Sequence, residues 1–170
     1  MSDVRVAVVM GVSGSGKTTL ARALADAWDA TFLDADDFHS DQAKALMAAG
    51  EPLTDAMREP WVARIVADLQ HRVADGARVT LAFSGLRRQH RDMLRMAGLP
   101  LRFIFLRGEA ALIGERMRAR SGHYMPVSLL DSQFAALEEP IAEADVVVLS
   151  VDLPTDVQLR LALQAVAAPL

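Results

Sequence analysis

The sequence predicts a three-layer α/β domain, and three observations support this prediction. The chain has 170 residues, which suits one domain built around one core. Five short apolar runs lack polar alternation, as is typical of strands buried on both faces of a parallel sheet. Stretches with helical spacing separate the runs, which gives the β-α-β-α order of a three-layer fold. The runs are Val4–Met10, Ala30–Leu33, Arg78–Phe83, Leu101–Leu106 and Asp145–Val151.

Helices are predicted between the runs from their composition and end signals. Lys17–Trp28 is rich in alanine and leucine and follows a glycine-rich turn. Pro60 stands where a first helical position tolerates proline, and several helices are followed by glycine. Pro154 is expected to open a last helix with an alanine-rich, packed tail. The other predicted helices are Asp41–Ala49, Trp61–Ala74, Gln89–Ala97 and Glu109–Arg120.

The composition argues against several classes of protein. Charged residues make up 24% of the chain and the formal net charge is −4, so the basic excess of nucleic-acid-binding proteins is missing. The absence of cysteine excludes disulfides and thiolate metal sites and fits a reducing compartment. We see no signal peptide and no apolar run near the roughly 18 residues that a membrane helix needs. We therefore expect a cytoplasmic protein without nucleic-acid or membrane partners.

The segment GVSGSGKT, Gly11–Thr18, predicts a site for a nucleoside triphosphate. It satisfies the pattern G-x-x-x-x-G-K-[ST] and stands between a predicted strand and a predicted helix. Its backbone amides and the helix N-terminus favour phosphate, Lys17 can reach the β- and γ-phosphates, and Thr18 can bind Mg²⁺. A glycine-rich turn with a chance Lys-Thr pair is the alternative. The predicted nucleotide-binding residues of this segment are Gly11, Ser13, Gly14, Ser15, Gly16, Lys17, Thr18 and Thr19.

Three carboxylates follow the second predicted strand. In an extended segment Asp34 and Asp36 share one face, at the sheet edge where open α/β sheets bind ligands. We assign Asp34 to the Mg²⁺ shell and Asp36, as a catalytic residue, to the hydroxyl that accepts the phosphoryl group. Asp37 is expected at a helix start. The alternative is that all three acids solvate a loop and cap the next helix.

Other segments indicate which reaction the phosphate loop serves. The chain lacks an N-K-x-D-type guanine motif and a long strand ending in Asp-Glu, which favours a small-molecule kinase over GTPases and motors. Over roughly Val6–Asp152, the order and spacing of its motifs resemble the gluconate kinase family of P-loop kinases. The segments that carry this resemblance are LDADDFHS, GEPLTDAMREPWV, SGLRRQHRDMLR and RSGHYMPVSLLDSQFAALEEP.

The resemblance implies a fold, a reaction and an assembly. The fold is a three-layer α/β/α P-loop kinase domain over residues 1–170 with a five-stranded parallel sheet. A helical substrate-binding region is expected at about 38–75 and a lid at about 120–128. The implied reaction is phosphorylation of the 6-hydroxyl of D-gluconate by ATP and Mg²⁺, usually in a homodimer.

The predicted acceptor site combines charge with hydrogen-bonding groups. Gluconate carries a carboxylate, and Arg58 is the predicted bidentate partner, with an exposed surface arginine as the alternative. Arg87, which stands where the family usually has lysine, is also predicted to bind the acceptor. The other predicted acceptor-binding residues are Asp36, His39 and His123. Arg91 matches the family as well, although a surface ion pair would explain it equally.

Two further arginines, Arg116 and Arg120, precede a flexible Ser-Gly pair. In a closed lid their positive charges would lie next to the transferred phosphoryl group, and the lid would exclude water. We predict that both arginines bind the nucleotide. Arg120 is also predicted to be catalytic, as is Lys17 of the phosphate loop. The alternative is a basic helix C-terminus favoured by the helix dipole.

Departures from the family pattern leave the acceptor open among aldonates. Met57 stands where a second acid is common, His90 where an aromatic residue is usual, and Ser40 where proline is frequent. A kinase of another small hydroxy acid, such as shikimate, is one alternative, although GEPLTDAMREPW argues against shikimate. A non-catalytic nucleotide-binding regulator is the other, and the acceptor-facing acid together with the lid arginines argues against it.

Overall fold

The computed structural model describes residues 3–119 and 127–170. Within these ranges five strands form one parallel sheet in the order β2-β3-β1-β4-β5, which confirms the predicted fold class. Each predicted apolar run overlaps one strand, and two of the strands end one residue beyond their runs. The strands are β1 (Val6–Met10), β2 (Thr31–Asp34), β3 (Val79–Phe83), β4 (Leu101–Arg107) and β5 (Val146–Ser150).

Seven α-helices and one short 3-10 helix occur in the described ranges. The first helix has the bounds that its composition predicts. None of these helices combines the length and apolar character needed to cross a bilayer. The α-helices are α1 (Lys17–Trp28), α2 (Asp41–Ala48), α3 (Asp55–Ala74), α4 (Arg88–Met96), α5 (Ala110–Ala119), α6 (Val127–Ala136) and α7 (Thr155–Ala167), and the 3-10 helix is Ala35–Phe38.

Strand β1 lies at the centre of the sheet, and all five of its residues are fully buried. Val8 and Met10 pack into the core beneath α3 and α4, whereas Ala7 and Val9 pack into the core beneath α1 and α7. Burial on both faces explains why this strand shows no polar alternation. Because β1 aligns with β3, and β3 with β2, the segments that follow these three strands meet at one edge of the sheet.

The structure departs from the predicted helices most at one helix start and at one additional helix. Helix α3 begins at Asp55 rather than at Pro60, because the Thr54 hydroxyl accepts a hydrogen bond from the Met57 N–H at 3.3 Å and caps an earlier start. Pro60 therefore lies inside the helix. Helix α6 was not predicted, since the lid assigned to residues 120–128 overlaps its first turn; the rest of that lid lies outside the described residues.

Candidate active site

The phosphate loop passes from β1 to α1 in a conformation that requires glycine. Gly14 and Gly16 have φ angles of 79° and 94°, in the left-handed region that other residues rarely adopt. A Cβ atom on Gly14 would also lie 2.5 Å from the Met117 Cγ of α5. The loop is thus held closely under α5, and Lys17 begins the helix that follows it.

Two cavities border this loop. The first has a volume of about 440 Å³ and is lined by Ser13 and Lys17 together with residues of the 3-10 helix, α2 and α3. The second has a volume of about 390 Å³ and is lined by Ser15, Gly16 and Thr19 together with residues at the start of α7. The loop therefore separates a cavity next to the acids from a cavity next to the β5–α7 connection.

The carboxylates at and after the end of β2 do not lie as the sequence predicted. Asp34 Oδ1 accepts a hydrogen bond from the Asp36 N–H at 3.0 Å, and this contact caps the 3-10 helix. The segment is therefore not extended, and the prediction that period two places Asp34 and Asp36 on one face is wrong. Asp36 and Asp37 both line the first cavity. Asp37 lies in the first turn of the 3-10 helix, whereas Ser40 caps α2.

The Asp34 carboxyl lies in an environment that disfavours its charge. Burial raises its pKa above the ordinary value, and the neighbouring Asp36 and Asp37 charges raise it further. The Asp36 N–H and the Lys17 ammonium act in the opposite direction. A cation close to Asp34 would stabilise the ionised carboxylate.

His39 lines the first cavity and stacks on Trp61 of α3. The two ring centroids are 4.2 Å apart at an interplanar angle of 16°, and Trp61 Nε1 donates to the Ala35 carbonyl at 2.6 Å. Burial, together with the positive charges of Arg64 and Arg58, lowers the pKa of His39 to about 4. The imidazole is therefore neutral near pH 7, and its buried Nδ1 has no hydrogen-bond partner among the described residues.

Two arginines contact one carboxylate, that of Asp55, in the first turn of α3. The Arg58 Nη1 lies 3.4 Å from Asp55 Oδ1, and the Arg87 Nε lies 3.9 Å from the same oxygen. Arg58 lines the first cavity and its side chain is only 18% exposed, so the alternative of an exposed surface arginine is wrong. The buried Arg87 Nε has no hydrogen-bond partner within the described part of the chain. The pair carries one positive charge in excess, which favours an anionic ligand.

A buried ion pair holds the loop that follows β3. Arg91 is 1% exposed and makes a bidentate contact with Glu143, at 2.6 and 3.0 Å. Its Nη1 also donates to the Gly85 carbonyl at 2.7 Å and to the Leu86 carbonyl at 3.3 Å. Burial would raise the pKa of Glu143, but hydrogen bonds from Arg91 and Arg95 outweigh it and lower that pKa. Arg91 therefore does not form the surface pair that its position on a helix suggested.

Gln133 of α6 is a site residue that the sequence analysis did not identify. Its side chain lines the first cavity and makes two hydrogen bonds with Ser13 of the phosphate loop. The contact joins residues 120 positions apart, so it leaves no local pattern in the sequence.

The remaining predicted residues divide into two groups. Arg116 of α5 lines the second cavity together with Asp152, Leu153 and other residues around the start of α7. Arg120 and His123 lie outside the described residues, so their predicted roles remain predictions. No group of three or more His, Asp or Glu side chains in the described ranges is arranged to hold a metal ion.

Comparison with known proteins agrees with this architecture. A family model described as "AAA domain" matches residues 6–140. The gluconokinase of Gluconobacter oxydans is 40% identical over 156 residues, covering 92% of this chain and 88% of the relative. The crystal structure of a gluconokinase from Sinorhizobium meliloti is 39% identical with a TM-score of 0.89, covering 98% of this chain and 94% of that one. A sugar kinase structure from Janibacter is 40% identical with a TM-score of 0.88, covering 97% and 99%. The phosphate loop, the fold and these similarities together show that the chain belongs to the gluconokinase family of P-loop kinases.

Proposed function

We propose that the chain transfers the γ-phosphoryl group of ATP to the 6-hydroxyl of D-gluconate, giving 6-phospho-D-gluconate and ADP. The observation that carries this proposal is the composition of the first cavity. It places Lys17 of the phosphate loop, the Asp36 carboxylate and the Arg58 guanidinium around one space of about 440 Å³. A phosphoryl donor, a hydroxyl acceptor and a sugar-acid carboxylate each find a matching group there.

ATP fits the loop and the second cavity. The glycine conformations at Gly14 and Gly16 allow the backbone amides to converge on phosphate oxygens, and the N-terminus of α1 adds its positive dipole end. The second cavity lies beside Gly16 and Arg116, so we assign it to the nucleoside. The loop conformation and the helix N-terminus likewise support phosphate binding by the other residues of the segment Gly11–Thr19.

Mg²⁺ fits the residues at the start of α1 and the end of β2. This ion usually keeps several waters and binds one or two protein groups together with substrate phosphates, so a cluster of three acids is not required. The Thr18 hydroxyl and the Asp34 carboxylate would hold it. When bound, Mg²⁺ offsets the negative charge of the phosphates. A bound cation would stabilise the ionised form of Asp34 against the burial that raises its pKa.

The acceptor would be oriented by charged and polar groups in and beside the first cavity. Arg58 and Arg87, which both contact Asp55, would bind the carboxylate. Asp36 would accept a hydrogen bond from the reacting hydroxyl and orient it toward the phosphate loop, since transfer has a loose transition state and needs little deprotonation. Neutral His39 would bond a hydroxyl of the sugar acid.

The lid, the assembly and the location complete the proposal. Arg116 and Arg120 would stabilise charge on the transferred group, with Arg120 catalytic, and His123 would contact the acceptor. Resemblance to the family supports a homodimer, and the cysteine-free composition supports a cytoplasmic setting.

A coupled ADP-release assay with ATP and Mg²⁺ tests the substrate. The panel contains D-gluconate, other aldonates, shikimate and nucleosides, with an acceptor-free reaction as the control. We expect gluconate to stimulate ADP release far above the control rate. Stimulation by another acid but not by gluconate would refute the acceptor and keep the kinase class, and no stimulation by any acceptor would favour a non-catalytic regulator.

A further inference from the structure

The carboxamide of Gln133 binds the phosphate loop at two points. The Ser13 N–H donates to Gln133 Oε1 at 2.8 Å, and Gln133 Nε2 donates to the Ser13 hydroxyl oxygen at 3.1 Å. Because a peptide N–H can only donate, the first contact fixes the orientation of the carboxamide. Two hydrogen bonds to a single residue hold that part of the loop against α6.

This contact lies on the acceptor side of the loop. Ser13 and Gln133 both line the first cavity, which also contains Lys17 and Asp36. The second cavity is lined by the later loop residues Ser15 and Gly16 and by no described residue of α6. A change at Gln133 should therefore affect the acceptor side of the loop more than the nucleoside side.

The neighbouring loop residue lies close to a different helix. Any Cβ on Gly14 would meet Met117 of α5, so consecutive loop residues contact α5 and α6. These are the two helices on either side of residues 120–126. The position of the phosphate loop relative to the first cavity thus depends on the position of α6.

We propose that Gln133 is a positioning residue for phosphoryl transfer, acting through Ser13. It holds the start of the phosphate loop in line with the acceptor hydroxyl and does not itself react. This inference rests on the proposed kinase function. Displacing reacting groups by about 1 Å can cost on the order of 100-fold in rate, so loss of the two hydrogen bonds should reduce turnover while leaving ATP affinity nearly unchanged.

The variant Gln133→Met tests this proposal, because methionine has a similar size and suits a helix but makes neither hydrogen bond. Gln70→Met is the matched control, since Gln70 is an exposed glutamine of α3 whose side chain donates to the Ala97 carbonyl at 3.3 Å. We measure kcat, the ATP dissociation constant, the ratio of ADP to phosphorylated acceptor and the melting temperature. We expect kcat to fall at least about tenfold, ATP affinity to change less than about threefold, and the ratio to rise above that of the control.

Two results would overturn the proposal. One is a Gln133→Met enzyme with the kcat and the product ratio of the control. The other is an equal loss of ATP affinity and kcat accompanied by a lower melting temperature, which would show a purely structural role. If the unmodified chain phosphorylates no acceptor, both the proposed function and this inference fail, whereas normal turnover with an unaffected variant contradicts only the inference.

Discussion

Replacing Arg91 with methionine should destabilise the protein and loosen the acceptor site. The guanidinium is 1% exposed and donates four hydrogen bonds, two to Glu143 and two to the carbonyls of Gly85 and Leu86. Removing one partner of a buried ion pair costs about 3–5 kcal/mol. Arg95 also contacts Glu143, at 2.6 Å, and can keep that carboxylate paired, so we expect the lower end, about 3 kcal/mol. For a chain of this length that corresponds to a fall in melting temperature of roughly 6–12 °C.

Thermal and urea unfolding of the two proteins measure this cost. Arg88→Met is the matched control on the same helix, because Arg88 is 65% exposed and lies 3.7 Å from Asp92, a surface pair worth less than about 1 kcal/mol. Arg91 donates to the Leu86 carbonyl, and Leu86 lines the first cavity, so Arg91→Met should also raise the KM for the acceptor. A melting temperature within about 2 °C of the control would show that Arg91 does not hold the loop, and would refute this reasoning.

Three further predictions concern the first cavity. Asp36→Asn should lower kcat about 100-fold with ATP affinity retained, because orientation of the acceptor is lost; steady-state kinetics showing normal turnover would refute this role. Arg58→Met should raise the KM for gluconate about 10- to 100-fold, since a charge-assisted hydrogen bond is lost, and an unchanged value would exclude the carboxylate contact. His39→Asn should flatten the pH dependence of the free energy of unfolding. The unfolded state binds a proton on His39 below about pH 6.5, whereas the folded state binds it only near pH 4. Acidification should therefore lower the free energy of unfolding of the unmodified protein by up to about 3 kcal/mol, and the variant should lack this loss. Parallel unfolding curves for the two proteins would contradict the lowered pKa.

The fold was predictable because its determinants are local. Strand β1 is buried on both faces, so its continuous apolar run has a direct structural cause. The glycines of the phosphate loop are required by backbone angles and by the contact with Met117, and the bounds of α1 follow from its helix formers. Patterns of this kind are set within a few residues, so the sequence displays them.

The candidate site was less predictable, because it depends on competing or distant contacts. The period-two argument for Asp34 and Asp36 assumed an extended chain, but the Asp34 side chain captures a backbone N–H and starts a 3-10 helix instead. Arg91 has the pattern of a surface residue, and its burial depends on Glu143, 52 positions away. Gln133 reaches Ser13 across 120 positions. Only the folded chain brings these groups together.

The position of the phosphate in the product tests the central claim most directly. The reaction contains the unmodified chain, ATP, Mg²⁺ and D-gluconate, and phosphorus–proton correlation by NMR identifies the carbon that carries the new phosphate. We expect coupling to the protons on the terminal carbon remote from the carboxylate, since the proposed site binds the carboxylate at Arg58 and the reacting hydroxyl at Asp36. Phosphate on another hydroxyl, or release of inorganic phosphate alone, would contradict this account of the site.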